Sequence, residues 1–332
     1  MAVTAGPAKI SVIIATRNRA ELLPPLIAAV LDQQVDVPFE LIVVDDKSSD
    51  ATKETLASLA ADLDQLRPMT MPRHVGPGAA RNAGWQAAVG RLIVFTDDDC
   101  MPKPGWLAAL WRERQSGIQL IQGRTVADPV AKAAMKAFGH HIQIEKFSNR
   151  YETCNIAYDR ALLEELGGFD AGFGTSRGGA PWGEDADLGW RAAERNTSTC
   201  FAPDAVVEHR VTNPPYRKYL RARLRRYRLV YFVSRHPGYR ANLAYGYLVK
   251  RGHVVAGCVA LSPIPYLIWP TPALLSLIPL GAALYAVHWL RYERLPGWRQ
   301  RWPILIPAAF LADALECAVF AAGSVRWRTL VL

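Results

Sequence analysis

Three adjacent carboxylates, Asp97, Asp98 and Asp99, follow directly on the apolar run Leu92–Phe95. That run carries the β-branched and aromatic types of a buried strand. Neighbouring like charges repel, and removing them from water adds to the cost, so a cluster of this kind at a strand end needs compensation. A divalent cation supplies it. Hard oxygen ligands suit Mg2+ or Mn2+, and open coordination positions can take diphosphate oxygens. The carboxyl end of a central strand is also where open α/β sheets bind ligands. The triplet therefore reads as a metal–diphosphate site, against the simpler reading of an acidic turn capping the next helix.

A second set of carboxylates opens the stretch Gly183-Glu184-Asp185-Ala186-Asp187-Leu188-Gly189-Trp190-Arg191. On a helix Asp187 and Arg191 stand one turn apart and form a salt bridge, while Glu184 and Asp185 fall in the first turn, where the dipole favours negative charge. Placement at a helix start is a sufficient structural reason for either residue alone. Asp185 also follows the glycine-rich stretch Phe173–Gly183, the kind of loop that forms a mobile lid. A carboxylate beside such a lid can accept a proton from a hydroxyl. His209, in the strand-like Val206–Arg210, offers a neutral nitrogen to a carboxylate-rich metal site.

These side chains need a sheet to hold them. Ile10–Ala15 and Leu41–Val44 read as buried strands ending in Thr16-Arg17-Asn18-Arg19 and Asp45-Asp46. Glu21–Gln34 and Ala51–Leu63 read as the helices that follow, the second introduced by Ser48, Ser49 and Asp50. A weak strand near Met69–Met71, a glycine-proline loop over Val75–Arg81 and a helix over Asn82–Val89 lead into the strand at Leu92. Pro102–Arg114 continues as a helix, Glu152–Tyr158 as a strand and Arg160–Leu166 as a short helix. The alternation predicts an α/β fold with a doubly wound, mostly parallel sheet flanked by helices. The loop Gly76-Pro77-Gly78-Ala79-Ala80-Arg81 has Arg81 where a dinucleotide fingerprint has its third glycine, and no GxxxxGK[ST] occurs. Nicotinamide, flavin and P-loop sites are not read here.

Five stretches, SVIIATRNR, LIVVDDKSSD, AARNAGWQAAVGRLIVFTDDDC, CNIAYDRALLEELGGFD and WGEDADLGWRAAER, run in order over residues 9–210. Together they resemble the family 2 glycosyltransferases, which have the GT-A fold, and the closing GSVRWRTLVL resembles the tail of membrane-associated members. The resemblance implies that Thr16 and Arg17, with Asp45 or Asp46, hold the nucleotide base and ribose, and that Arg81 lies near the nucleotide. It makes Asp98, with Asp97 and Asp99, the DxD-type motif that binds Mn2+ or Mg2+ and the donor diphosphate, with His209 as a further metal ligand. It makes Asp185 the catalytic base and assigns Trp182 and Glu184 to the acceptor. Lys47 stands where the family often has glycine. The implied reaction is one in-line displacement with inversion, from a nucleotide-diphosphate sugar to a neutral hydroxyl of a glycan or glycolipid. Two rival readings are a sugar-nucleotide nucleotidyltransferase, which gives Asp185 no role, and an inactive membrane scaffold with the same fold.

The formal charge of +9 hides an asymmetry. Residues 1–210 hold 22 Lys and Arg against 27 Asp and Glu, whereas residues 211–332 hold 17 against 3. Arg217–Arg251 carries eleven of these cations and no acid, with Leu220, Leu224, Tyr227 and Tyr231 at helical spacing. That pattern reads as a basic amphipathic helix on a membrane surface. The following His253–Leu290, 38 residues without a charge, decides against nucleic acid as partner. It is long enough for two short helices or a re-entrant hairpin broken near Trp269–Pro272. Its basic flanks predict attachment at the cytoplasmic face. Trp302–Val325 is a third apolar segment, interrupted by Asp313 and Glu316, and stays open between a span and an interfacial helix. A helical domain that buries these faces without lipid is the competing reading. The expected division is a catalytic domain over 1–212, basic interfacial helices over 213–252 and hydrophobic membrane-associated helices over 253–332. The five cysteines, Cys100, Cys154, Cys200, Cys258 and Cys317, form no CxxC pair and fit a reducing compartment, and the N-terminus reads without a signal peptide.

Overall fold

The computed structural model describes residues 7–173, 183–245, 249, 277–292 and 298–331. Trp182 and the expected break near Trp269–Pro272 lie outside the described residues. The chain divides into two units, one of residues 1–133 and 141–211, the other of residues 134–140 and 212–332.

The first unit is built on strands β1 (Ile10–Thr16), β2 (Phe39–Asp45), β3 (Leu66–Thr70) and β4 (Leu92–Asp97), which lie parallel in the order β3-β2-β1-β4. Both faces of β1 and β2 are covered, which is why ISVIIAT and FELIVVD are apolar almost throughout. The register pairs Thr16 with Asp45 and Ala15 with Asp97, so three polar strand ends finish side by side on one rim. Crossovers run through α1 (Leu23–Leu31), α2 (Thr52–Asp62) and α3 (Pro77–Ala87). Side chains alternate between the sheet's faces. Val12 and Ile14 join one core cluster with Leu23, Leu26 and Trp106, while Ile13 joins the other with Ala80, Trp85 and Leu188.

α3 begins at Pro77, within the stretch expected to be loop through Arg81. Proline at the first helical position lacks only an N–H that has no partner there, and Gly76 caps it at φ 93°. Arg81 is therefore a helical residue.

Beyond β4 come β5 (Cys100–Pro102), α4 (Trp106–Gln115), β6 (Leu120–Ala127), α5 (Pro129–Ala133), β7 (Asn155–Asp159), α6 (Arg160–Leu166), α7 (Glu184–Ala193) and β8 (Thr199–His209). They complete an eight-stranded sheet, β3-β2-β1-β4-β7-β6-β8-β5. Four neighbouring pairs are parallel, and β4–β7, β6–β7 and β5–β8 are antiparallel, so the sheet is mixed rather than uniformly parallel on this side. A parallel return usually needs a helical crossover. The connection from β6 to β7 carries only the five-residue α5, and β7 comes back antiparallel.

The Asp187–Arg191 salt bridge forms at 2.8 Å, and Arg191 does more than pair. Its other nitrogens donate to Leu166 O and Gly168 O, each at 2.6 Å, tying α7 to the carboxyl end of α6. Gly167, at φ 71°, ends α6 with its N–H on Glu164 O.

The second unit holds α8 (Tyr216–Leu224), α9 (Tyr227–Arg235), α10 (Leu277–Tyr292) and α11 (Trp298–Trp327). The basic amphipathic stretch is thus two helices rather than one, followed by a 3-10 segment, Pro237–Asn242, where proline cannot continue an α-helix. α9 buries Leu229, Val230, Phe232 and Val233, and Tyr285 and Trp289 of α10 pack on Leu305, Ile306 and Ala309 of α11. Within α11, Pro303–Trp327 is long and apolar enough to cross a membrane.

Candidate active site

The three aspartates at the end of β4 take three different partners. Asp97 receives Arg81 Nη2 at 2.7 Å. Asp98 accepts from Thr16 Oγ1 at 2.8 Å and lies 3.4 Å from Arg19 Nε. Asp99 Oδ1 lies 3.7 Å from His209 Nε2. Compensation expected from a cation alone is thus supplied partly by the protein. It is incomplete: burial pushes Asp98 up to about 6, opposed by Arg19 and Thr16 and reinforced by Asp99 and Asp97. Asp99 is also raised, by burial and then by Asp97, with His209 opposing.

His209 reaches Asp99 through the β5–β8 ladder, which sets Cys100 opposite His209 and lets Arg210 N donate to Asp99 O at 2.8 Å. His209 Nδ1 lies 2.9 Å from Arg210 O, which can only accept. In the neutral ring Nδ1 therefore carries the proton and Nε2 presents its lone pair. Ligand atoms of Asp99, Cys100 and His209 lie within 4.8 Å of one another. A hydrogen bond with Cys154, and then burial, push the Cys100 thiol well up, so it stays protonated and is a poor ligand. The carboxylate and imidazole that remain fit Mn2+ or Mg2+. Asp97, read from sequence as a metal ligand, pairs through Oδ1 with Arg81 and is not one of these three residues.

Arg81 is 6% exposed and joins two parts of the site. Its Nη1 lies 3.5 Å from Glu184 Oε1, so one guanidinium links the end of β4 to the start of α7. Gly183 caps α7 at φ 84°, and Asp185 follows in its first turn, with Oδ1 accepting Ala186 N at 2.8 Å. Burial first, and the Glu184 charge second, raise Asp185 to about 8; Ala186 N and Arg81 pull it down, and Glu152 adds to the rise.

The strand-end loops are cross-tied. Asn18 N donates to Ser48 Oγ at 2.9 Å, Ser49 N to Asn18 Oδ1 at 2.8 Å and Arg19 N to Thr52 Oγ1 at 2.9 Å. Asp45 holds its own turn through Ser48 N at 2.9 Å. Asp46 is buried and already accepts from Val75 N, Gly76 N and His74 Nδ1 at 2.7, 2.8 and 2.7 Å. Both aspartates thus have structural work, whereas Arg17 is exposed on the same rim. Lys47 sits at φ 58°, a conformation glycine adopts without strain. Arg19, Cys100 and Glu152 escaped the sequence reading. Arg19 lies inside the quoted TRNR stretch, but nothing in the order of residues points it at Asp98.

The sequence profile of glycosyl transferase family 2 matches residues 11–163, the span from β1 to α6. This part of the chain is similar to that family. Among similar proteins, glycosyltransferase AglE of Haloferax volcanii is 28% identical over 208 residues, 60% of this chain and 66% of that protein. The GalNAc(5)-diNAcBac-PP-undecaprenol beta-1,3-glucosyltransferase of Campylobacter jejuni is 32% identical over 121 residues, 36% of this chain and 39% of that protein. The matched stretches span less than two thirds of the length of these relatives. Among solved structures, the mannosyltransferase PcManGT of Pyrobaculum calidifontis, in complex with GDP-Man and Mn2+, superposes with a TM-score of 0.55 at 21% identity, covering 98% of this chain and 88% of that one. The mixed sheet with its flanking helices is thus a GT-A-like fold.

Proposed function

We propose that this protein is an inverting, metal-dependent glycosyltransferase of family 2. It moves a sugar from a nucleotide-diphosphate sugar to a neutral hydroxyl of a glycan or lipid-linked acceptor at the cytoplasmic face of a membrane, in assembly of a cell-envelope glycan. The observation that carries this reading is the chain Asp97–Arg81–Glu184, which brings the strand-end carboxylates and the helix bearing Asp185 into one site.

Thr16, Arg17 and Asp45 line the strand ends where the nucleoside would rest, beside Asp46 and the turn it holds. Asp99 and His209 would hold the cation, with Asp98 beside them. When bound, it supplies a Lewis acid that neutralises charge on the departing diphosphate. Asp185, raised to about 8, titrates near working pH, where a carboxyl is an effective proton acceptor. One base acting on a hydroxyl opposite the leaving diphosphate gives inversion. Glu184 stands next to that base, where acceptor hydroxyls would arrive, and Trp182 is assigned to the same acceptor. The undecaprenol-linked substrate named for the Campylobacter relative supports a lipid-linked acceptor, and the Mn2+ bound by the Pyrobaculum enzyme is consistent with a divalent cation. The apolar α11 and the basic α8–α9 support membrane attachment.

Asp185→Asn tests the assignment. Transfer should fall by about 10²–10⁴-fold, while the Mn2+-dependent thermal shift by nucleoside diphosphate persists. Substantial transfer by the variant removes the base role, and a product anomer that matches the donor removes inversion.

A further inference from the structure

Helices α8 and α9 lie along α11 in one register. Tyr216 Oη donates to Ala308 O at 2.5 Å, and Arg223 and Arg226 reach Glu316 Oε1 at 2.7 and 2.6 Å. Val230 abuts Gly323, where an added Cβ would come within 2.9 Å of Val230 Cγ2. The sequence offset between partners is 92 for Tyr216–Ala308 and 93 for both Arg223–Glu316 and Val230–Gly323. The helices therefore run side by side in the same direction, and Tyr227 stacks on Trp327 at 5.5 Å near the end of α11.

This pairing limits what α11 can do in a bilayer. The 25 residues Pro303–Trp327 are about 37 Å long, enough for a hydrocarbon core of about 30 Å. If α11 crossed in this packing, α8 and α9 would be carried through beside it. Residues 216–235 hold eight Lys and Arg and no acid, and of these Arg217, Lys218, Arg221, Arg225 and Arg235 are exposed. Cations at bilayer depth are costly and are found facing protein or water. The outer face of α11 fits a different placement. Ile304, Pro307, Leu311, Ala318, Ala321 and Val325 form an exposed, uncharged stripe at helical spacing. The acids of α11 are buried on other faces, Glu316 on its two arginines and Asp313 accepting from Tyr285 Oη at 2.8 Å. An apolar stripe backed by a basic partner is what an anionic lipid surface receives.

We propose that α11 does not cross the membrane. With α8 and α9 it lies in the plane of a bilayer surface rich in anionic lipid, its apolar stripe among the upper acyl chains and the exposed cations among the headgroups. This rests on the membrane attachment proposed above and specifies its form.

The test uses the full chain. In sealed inverted membrane vesicles, Arg301→Cys and Arg328→Cys bracket the apolar stretch Pro303–Trp327 of α11, and a membrane-impermeant maleimide should label both from the same side above the wild-type background. Labelling from opposite sides overturns the proposal. In flotation, the protein should rise with phosphatidylglycerol-containing vesicles far more than with neutral phosphatidylcholine vesicles, and Arg221→Gln and Arg225→Gln should each weaken that binding about fivefold. Equal flotation on both lipids also overturns it. No flotation on either removes membrane attachment itself, a separate failure from two-sided labelling.

Discussion

Asp185 must be ionised to accept a proton, yet its carboxyl is raised from 3.8 to about 8. At pH 7 a group of pKa 8 is ionised in about one molecule in ten. The kcat/KM for transfer should therefore climb about tenfold per pH unit below that value and level above it. Glu184→Gln sharpens the prediction. It removes the second-largest cause of the rise and leaves the Arg81 charge to Asp97 and Asp185, so both effects favour ionised Asp185. Losing a like charge beside a buried carboxyl moves it by about one unit. The acid limb should then shift from near 8 to near 7, and the ionised fraction at pH 7 should rise from about one tenth to about one half. The same group is linked to stability. Its folded value stands above the unfolded one, so its contribution is fully present below about pH 3.8 and is lost as pH rises through about 8. Glu184→Gln should make that loss shallower. The assay is initial-rate kcat/KM across this range, with melting temperatures measured in the same buffers. The position of the limb is the readout, because any effect of Glu184→Gln on acceptor binding changes only its height. A limb that stays in place or moves upward refutes the assignment to Asp185.

Arg81→Met leaves Asp97 and Glu184 without their shared cation and should cost about 3 kcal/mol in urea denaturation; a loss below about 1 kcal/mol would contradict the bridge. Lys47→Gly relieves a left-handed residue and should raise stability by about 0.5–1 kcal/mol, read from the same denaturation curves. EDTA should abolish transfer and Mn2+ restore it. His209→Ala should raise the Mn2+ concentration for half-maximal activity about tenfold or more, since loss of an outer-shell partner alone costs that much.

Much of the first unit was legible because its signals are local. Apolar runs located β1, β2 and β4, and the spacing of Asp187 and Arg191 gave a bond that forms. β6 was not legible, because Gln122, Gly123, Arg124 and Thr125 interrupt its apolar pattern. Its buried polar groups are satisfied from a distance, Gln122 by Ser148 N at 2.6 Å, and no local pattern reveals that. β5 has three residues and exists only through its ladder with β8. That ladder is why His209 meets Asp99, a proximity invisible in the order of residues. The aspartate triplet was found but its geometry was not. Only Asp97 belongs to β4; Asp98 and Asp99 fall in the turn before β5, so the three carboxylates meet three different partners, Arg81, Thr16 and His209.

The charges of the site lead to a further test. Among the described residues, the carboxylates Asp97, Asp98, Asp99, Glu184 and Asp185 stand against the guanidinium groups of Arg19 and Arg81. Fully ionised, this set is strongly negative, and the fold relieves it by keeping Asp98 and Asp185 protonated to about 6 and about 8. A nucleoside diphosphate entering without a cation would add charge of the same sign. Its metal-free affinity should fall as pH rises through those values, while Mn2+ should flatten or reverse the trend. Calorimetric titration with a nucleoside diphosphate across that range, with and without Mn2+, measures both. If metal-free binding is as tight in alkali as binding with Mn2+, the diphosphate does not meet these carboxylates and the metal reading falls with it.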